Sequence, residues 1–456
     1  KGRGMPHLVT VTVAVGCVLS WFAFPAWSAE VESAALPILT LEQAVELAVQ
    51  ANRHMKVAGL EVEKAAEATD AARTGRLPSL NLLGSAGAML SPLEFKFNQG
   101  ALGTYPGTGP VPGENKTVTQ SPHWSSFLFA NAMQPLTPLL RINQGIRLSE
   151  VGEEIAKERL RDQQLTVVSR VKREYFVALN LQSSLEATAE GIRFLQELDR
   201  VVTAQVGQRK ALRSDSLEVK TRLAEAEHQN VNLESALASQ KDTLNNLLGR
   251  DIHQDFRLTP VFAPPAQSGE AAALLTQALG SSPSMRESRL SVQQAEHDKT
   301  MKALQYIPDV SLTVSHIQAF NIGQVLPNQI SFAGAFLSWE VFDWGRKQRE
   351  LATKRLALEQ TRVRVVEAEA RLEVEIRHRL RTVKVAQSLL PVKRLSQESS
   401  REKLRVMMTR YTQKAAVLQD VLKAQSALAD ADYQYQKALL DFMTAVTDLE
   451  RVIGEG

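Results

Sequence analysis

The sequence has few of the features that mark disulfide-stabilised, helical membrane or nucleic-acid-binding proteins. Its one cysteine, Cys17, cannot form an intramolecular disulfide. Lys and Arg total 53 against 50 Asp and Glu, so the net charge of +3 is too small to indicate a nucleic-acid partner. Only one apolar run approaches the roughly 20 residues that a membrane-spanning helix needs. By hydropathy, the 456 residues therefore predict a soluble chain of two or three domains.

Catalytic and metal-binding motifs are also absent from the sequence. The eight histidines show no metal-ligand spacing, and neither an HExxH nor a GxSxG motif occurs. The Gly-Pro stretch at residues 107–113 has prolines where a phosphate-binding loop needs free N–H groups. The sequence therefore predicts a protein that is not an enzyme and that binds no cofactor or metal.

The apolar run lies at the N-terminus and has the three regions of a secretory signal peptide. Lys1 and Arg3 precede the apolar residues 8–27, and small residues follow. We expect residues 1–29 to be a signal peptide that is cleaved after Ser28 or Ala29. A membrane-anchoring helix and lipidation of Cys17 are the alternatives that this pattern leaves open. The chain is predicted to be exported.

The rest of the sequence contains the same pattern twice. VAGLEVEKAAEATDAARTGRLPSLNL at residues 57–82 matches ESRLSVQQAEHDKTMKALQYIPDVSL at a shift of 230. A second block repeats at a shift of 205, which pairs Asp215 with Asp420. The sequence thus predicts a first repeat at 30–249, a linker at 250–269 and a second repeat at 270–456. The two shifts differ because the first repeat has about 25 extra residues, which we assign to a turn-rich loop at 91–122.

Two periods alternate inside each repeat. Ala, Glu, Lys and Leu dominate helical segments that end just before Pro78 and Pro308. The period then changes to two, as in residues 123–136, 310–314 and 333–341. Alternation over about ten residues fits a strand that crosses an outer membrane, although a buried soluble hairpin has a similar pattern. Its recurrence in both repeats favours the membrane interpretation and predicts four strands per chain.

Very long helices follow the strands in both repeats. Residues 141–206 and 346–411 are predicted to form helices of about 100 Å, and Pro391 is expected to kink the second. Shorter helices at 215–248 and 420–453 return alongside them, with apolar residues spaced by seven. An early helix at 41–75 and the returning helix would together match the length of the long one. Each repeat is therefore predicted to form a rod with two strands at one end.

Four strands are too few to close a transmembrane barrel. About eight strands form the smallest closed barrel in a membrane. A symmetric oligomer must therefore supply the missing strands, and three chains would give twelve. The predicted fold class is mainly α, with long antiparallel helical hairpins and four β-strands per chain that contribute to a membrane β-barrel.

Three segments, taken together and in order, resemble TolC-type outer-membrane efflux proteins. They are LTLEQAVELAVQANRHMKVAGLEVEKA near the start, VFDWGRKQ before the second long helix, and YTQKAAVLQDVLKAQSALADADYQYQKALLDF near the end. The resemblance implies a homotrimer in the outer membrane of a Gram-negative-type cell, with a trimeric 12-stranded β-barrel surrounded by lipid and an α-barrel of helical hairpins in the periplasm. It implies an exit duct that docks a periplasmic adaptor and an inner-membrane transporter. The linker is the natural candidate for a belt at mid-height.

The resemblance also implies functional residues at the tips of the helical hairpins, which close the tunnel and meet the adaptor. In the family an aspartate of the second tip faces the pore, and Tyr411 and Asp420 match that motif at its spacing. Asp215 is the equivalent of Asp420 in the first repeat, and Lys423 replaces a second acidic residue of some members. Threefold symmetry would place three Asp420 carboxylates around one axis, which favours cations. Alternatively, Asp420 stabilises its helix dipole by about 0.3–1 kcal/mol.

The tips depart from the family pattern at their turns. A glycine expected three residues after Tyr411 is Lys414, and Arg209 has the corresponding position in the first repeat. The predicted adaptor-docking residues are Arg209, Lys210, Lys414 and Leu418. The substrate is not readable from the sequence, so drugs, metal ions and secreted polypeptides stay open, as do tripartite efflux and type I secretion. The alternative function is a periplasmic coiled-coil scaffold that forms no channel.

Overall fold

The structure is a computed structural model that describes residues 37–88, 90–120, 124–261, 271–322 and 327–455. The predicted signal peptide, residues 1–29, and Cys17 lie outside the described residues. Residues 262–269 of the predicted linker also lie outside them. Within the described part of the chain, no helix has the length and apolar character required to span a membrane.

The first repeat consists of two consecutive helices, a set of strands and two long antiparallel helices. Its elements are β1 (Ile38–Leu39), α1 (Leu41–Ala51), α2 (Arg53–Thr74), β2 (Ser79–Ala88), β3 (Leu93–Phe97), β4 (Thr104–Tyr105), β5 (Gly109–Pro110), β6 (Lys116–Gln120), β7 (Trp124–Pro135), α3 (Leu139–Gly207) and α4 (Arg213–Leu248). The 69 residues of α3 span about 100 Å. The prediction of this long helix is confirmed to within two residues at either end.

The second repeat has the same order of long elements. Its elements are β8 (Arg257–Leu258), α5 (Ala271–Ser281), α6 (Pro283–Ala303), β9 (Asp309–Phe320), β10 (Gln329–Ser338), α7 (Arg346–Thr412) and α8 (Leu418–Ile453). A short 3-10 turn, Leu304–Tyr306, separates α6 from β9. The helix α7 runs through Pro391 without ending, so the predicted second long helix is also confirmed.

The four predicted strands form one antiparallel sheet in the order β10-β9-β7-β2. The two repeats therefore meet in the centre of the sheet, and β2 and β10 form its edges. The alternation predicted a last strand as far as Val341, but β10 ends at Ser338. The turn-rich loop at 91–122 contains two small hairpins of its own, in which β3 pairs with β6 and β4 pairs with β5.

The prediction of one continuous early helix at 41–75 is wrong, because the helix breaks at Asn52. Asn52 has an extended backbone, and its side-chain oxygen accepts from the backbone N–H of His54 at 2.8 Å. Its Nδ2 donates to the Leu247 carbonyl oxygen at 2.7 Å. One buried side chain thus caps the start of α2 and the end of α4, so that α2 and α4 meet end to end.

Glycine makes this joint possible. Gly249 ends α4 with φ of +70°, and a Cβ at this position would lie 2.3 Å from the Ala51 carbonyl oxygen. The second repeat breaks at the equivalent residue, Ser282, and Gly454 with φ of +80° lies against Ser281. The internal repeat of the sequence therefore reappears as two matching joints.

The long helix of the first repeat joins the two repeats. Helices α2 and α4 pack along α3, α6 and α8 pack along α7, and α3 also packs against α6 and α8. The seven-residue stripes face these contacts, as the burial of Leu358, Leu372 and Leu449 shows. An ion-pair cluster adds to the contact, since the Asp448 carboxylate accepts from Arg173 of α3 and Arg379 of α7, each at 2.7 Å.

Candidate functional site

Three regions along the rod carry the features that matter for function: the sheet, the middle of α3 and the helical tips. Near the helices, one face of the sheet is aliphatic. Leu80, Ala132, Val314 and Ala333 lie side by side on its four strands. The larger side chains of this face, including Leu82 and Leu337, are exposed. An exposed row of aliphatic side chains is typical of a surface that contacts lipid.

The opposite face of the sheet is polar near the helices. Asn81, Asn131 and Ser315 lie side by side there. The Nδ2 of Asn131 donates to the hydroxyl oxygens of Thr313 and Ser315, both at 2.8 Å. Further from the helices this face becomes apolar, since Leu83, Phe129, Ile317 and Ile330 lie side by side on it. The polarity of each face therefore changes along the strands.

Aromatic side chains lie at both ends of the strands. Trp124 begins β7 at the loop end, and Trp339 and Trp344 follow β10 at the helix end, all three exposed. The 12 residues of β7 extend about 40 Å, which a tilt of about 45° reduces to about 28 Å along a membrane normal. This separation fits the two aromatic girdles of an outer-membrane barrel.

The start of α7 follows directly from the VFDWGRKQ segment. The Asp343 carboxylate accepts from the backbone N–H groups of Gly345 at 3.0 Å and Lys347 at 2.8 Å. These hydrogen bonds, and then the nearby charges of Lys347 and Arg346, lower the pKa of Asp343. Asp343 therefore fixes the direction in which the long helix leaves the sheet.

Near the middle of α3, a buried tyrosine connects the helix to the segments before α1 and after α4. The Tyr175 hydroxyl lies 2.9 Å from the carbonyl oxygens of Leu39 and Thr259 and accepts from the Thr259 N–H at 3.1 Å. Burial raises the pKa of Tyr175 to about 12. The strands β1 and β8 pair in parallel beside it. The described start of the linker thus lies at the middle of the rod.

Each helical tip is a tight turn with a left-handed residue that is not glycine. Arg209 has φ of +58° and Lys414 has φ of +60°. In the first tip, the N–H of Lys210 donates to the Gln205 carbonyl at 2.8 Å, and Ala415 and Arg410 form the equivalent bond at 2.7 Å. This six-residue closure is the Schellman geometry. The turns therefore form without the glycine that the family pattern leads one to expect.

The two predicted pore aspartates have different surroundings. The Asp215 carboxylate accepts from the Leu212 N–H at 3.1 Å and so caps the start of α4. Asp420 has the same position in α8, but its side chain is exposed, and no hydrogen bond of its carboxylate is found in the described chain. Lys423, one turn further along α8, is also exposed. Asp420 is thus the aspartate that remains free to act on ions.

Tyr411 links the two long helices at the tips. Its hydroxyl donates to the Gln205 side-chain oxygen at 3.1 Å, across from α7 to α3. Burial, and then the negative charge of Asp215, raise the pKa of Tyr411. The predicted gate residues Tyr411 and Asp215 therefore lie close together, and the hydrogen bond of Tyr411 joins α7 to α3 at the tip.

The tip core contains Leu418, which was predicted to be an adaptor-docking residue. Leu418 is 7% exposed and packs with Val421 and Leu422. The exposed apolar side chains at the turns are Leu212 and Val417, which are equivalent in the two repeats. Each is the residue immediately before its helix, α4 or α8. This position in the turn could have predicted from the sequence that both side chains are exposed.

Comparisons with known proteins agree with this geometry. A family model described as outer membrane efflux protein matches residues 44–250 and 274–455. No curated protein sequence matches the chain at a significant level.

Solved structures of channels have the same fold at low sequence identity. The chain is similar to the outer-membrane channel OprN (18% identity, TM-score 0.73, covering 91% of this chain and 90% of that one). It is similar to CusC (16% identity, TM-score 0.73, 91% and 92% covered). It is also similar to the CmeC outer membrane channel of Campylobacter jejuni (17% identity, TM-score 0.72, 91% and 85% covered).

Proposed function

Because the chain belongs to the outer membrane efflux protein family, we propose that it is the exit duct of a tripartite efflux pump or a type I secretion system. In this role it conducts substrate passively from an inner-membrane transporter and a periplasmic adaptor to the outside of the cell. The single observation that carries the proposal is the four-stranded sheet at one end of the long helices, which has two unpaired edge strands and exposed aliphatic side chains such as Leu80, Leu82 and Leu337.

The functional unit in this proposal is a homotrimer with a 12-stranded barrel. The strands β2 and β10 each pair with one neighbour in the described sheet, so each leaves one edge for another chain. The helix α7 supports the same arrangement with an apolar stripe that is exposed in the single chain. Its members are Leu356, Val363, Val374, Val385 and Val392. Their spacings of 7 and 11 residues keep them on one face of a helix.

The parts of the chain have separate roles in this arrangement. Residues 1–29 act as the signal peptide, and the repeats 30–249 and 270–456 supply equivalent halves of the duct. Residues 250–269 contribute to a belt at mid-height, which the contacts of Tyr175 with Thr259 support. The sheet lies in the outer membrane and the helices cross the periplasm.

The tips form the periplasmic entrance in this proposal. Asp420, Asp215, Tyr411 and Lys423 line or close the entrance, and the exposed residues around the turns meet the adaptor. The free carboxylate of Asp420 and the closed contact between Tyr411 and Gln205 support these roles. No catalytic step is part of the proposal, since the duct only conducts.

Membrane fractionation tests the proposal against the alternative of a periplasmic scaffold. We expect the protein to stay in the outer-membrane fraction until detergent extracts it, and to form conducting pores when it is added to a planar lipid bilayer. Release with the soluble periplasmic contents, together with no conductance by the purified protein, would show that the scaffold is the better description.

Ion selectivity of these pores tests the entrance. Asp420→Asn is expected to shift the reversal potential in a salt gradient towards anions, because a free carboxylate is removed from the entrance. Asp215→Asn is the matched control, since that carboxylate is already bound to the Leu212 N–H and should change stability more than selectivity. Equal shifts from both variants would contradict the assignment of Asp420.

A further inference from the structure

We propose that the helical tips bind a partner whose docking end is acidic, with apolar side chains flanked by Asp or Glu. The inference rests on the proposed function, in which the tips meet a periplasmic adaptor. It goes beyond that function because it specifies the charge of the partner, which follows from the side chains of this chain alone.

Cations dominate the two tips. Residues 201–220 and 406–425 contain seven Lys or Arg but only three Asp or Glu. The seven are Arg209, Lys210, Arg213, Lys220, Arg410, Lys414 and Lys423. The two tips together therefore have a net charge of +4.

These cations have no anionic partners within the described chain. All seven are exposed, and none takes part in an ion pair among the described residues. The nearest charges on the shafts are different, since Arg200 pairs with Glu197 at 2.7 Å and Arg405 pairs with Glu402 at 2.6 Å. Seven cations without an ion pair in the described chain therefore lie together within the last turns of the two hairpins.

The acidic residues of the tips compensate this charge only in part. The Asp215 carboxylate is held by the Leu212 N–H, where it caps α4. That leaves Asp420 and Glu218 as exposed carboxylates beside seven cations. An approaching group thus meets a positive field, which favours an anionic partner and accelerates its association.

The centre of each tip supplies the apolar part of the surface. Leu212 is 69% exposed and Val417 is 62% exposed, and they are equivalent in the two repeats. Each lies between the left-handed cation of its turn and the first charged residues of the next helix. An apolar centre with a charged rim is the usual anatomy of a docking surface. The complementary partner has apolar side chains at the end of a hairpin and carboxylates around them.

Two synthetic helical hairpins test this inference directly. Both have the same coiled-coil body, and their loops present Leu flanked by Glu in one and by Lys in the other. We expect the full-length protein in a non-ionic detergent to bind the acidic hairpin at least about tenfold more tightly in low salt, with an affinity that falls as salt increases. Fluorescence anisotropy of labelled hairpins measures both affinities.

Charge reversal at the tips provides the decisive comparison. The triple variant Lys210→Glu, Lys414→Glu and Lys423→Glu should lose this preference and bind the basic hairpin instead. The matched control reverses Lys56, Arg170 and Lys437, which are exposed on the shafts and form no ion pair in the described chain, and should keep the preference. Equal loss in the two triple variants, or tighter binding of the basic hairpin by the unmodified protein, would overturn the inference.

Two further readouts distinguish an acidic partner from a lipid surface and from a protein that forms no channel. Vesicles of phosphatidylglycerol should bind more weakly than the acidic hairpin, and stronger binding to the vesicles would overturn the acidic-partner assignment in favour of a lipid surface. Pore formation is measured on the same preparation. Normal conductance without hairpin preference refutes only the charge of the partner, whereas absent conductance refutes the proposed function.

Discussion

Lys414 and Arg209 adopt a backbone conformation that costs a side chain of L configuration about 1 kcal/mol or more. The Schellman bonds of the two turns hold these residues at positive φ, so the cost is offset by the closure of each hairpin. This local strain lies at the exposed end of the rod, where little packing depends on it.

Glycine at these positions is expected to stabilise the tips. Lys414→Gly should raise the free energy of unfolding by about 1 kcal/mol, since glycine adopts positive φ without steric cost. Thermal unfolding followed by circular dichroism measures the change. Lys403→Gly, within α7, is the control and should destabilise by a similar amount because glycine weakens a helix interior. A lower unfolding midpoint for Lys414→Gly than for the unmodified protein would contradict the proposed backbone strain at Lys414.

Tyr175 makes stability depend on alkaline pH. Its pKa is about 12 in the folded chain, which lies above the value of about 10 that an unfolded tyrosine has. The neutral phenol is therefore favoured by folding, and its contribution is complete below pH 10 and is lost as pH rises towards 12. We expect unfolding midpoints of Tyr175→Phe and the unmodified protein to converge over that interval. A constant difference would show that the phenol does not titrate with unfolding.

The sequence identified the tips but could not distinguish their two aspartates. Asp215 and Asp420 occupy the same position in their helices and are related by the repeat. Which carboxylate bonds to its own backbone depends on a side-chain rotamer, and a sequence pattern does not determine that choice. The sequence also did not show that Leu418 is buried while Val417 is exposed. Neighbouring residues at the start of a helix point in different directions, so a shift of one residue in the helix start exchanges a buried position for an exposed one.

At the scale of elements, the side chain of Asn52 is expected to contribute strongly to stability. Asn52→Ala removes the cap of α2 and leaves the buried Leu247 carbonyl without its donor, which should cost about 2–3 kcal/mol. Ser282→Ala is the matched control from the second repeat, because the one hydrogen bond of the Ser282 hydroxyl within the described residues is with the Ser284 hydroxyl. Chemical denaturation should show a clearly smaller decrease in the free energy of unfolding for Ser282→Ala than for Asn52→Ala. Equal decreases would argue against the capping of both α2 and α4 by Asn52.

The bounds of the long elements were predictable, whereas the joints were not. Periodicity over 66 residues defines α3 and α7 because many side chains contribute to one signal. The break at Asn52 is stabilised by a hydrogen bond to the carbonyl oxygen of Leu247, which lies 195 residues away in the sequence. The local helix propensity around Asn52 contains no sign of this contact. The end of β10 at Ser338 is likewise set by pairing with Asp309 and not by the alternation that continues to Val341.

At the scale of the whole molecule, α7 is expected to control assembly. Val374→Lys with Val385→Lys places two charges in the exposed apolar stripe, where burial between subunits would leave them without partners. Size-exclusion chromatography with light scattering in detergent should then show monomers in place of trimers. Lys437→Glu on the polar exposed side of α8 is the control and should remain trimeric. A trimeric double variant would exclude this stripe from the interface.

The unpaired edges of β2 and β10 affect how the chain behaves in water before it assembles in the membrane. Before it assembles into the proposed trimer, a monomer presents two unpaired strands and exposed aliphatic side chains to water, which is the pattern that promotes aggregation. Assembly of the trimer then competes with aggregation, and its rate depends on the concentration of other copies of this chain. Holdase chaperones that shield the edges would slow the competing reaction, so folding yield should respond to the rate of synthesis as strongly as to the stability of the finished trimer.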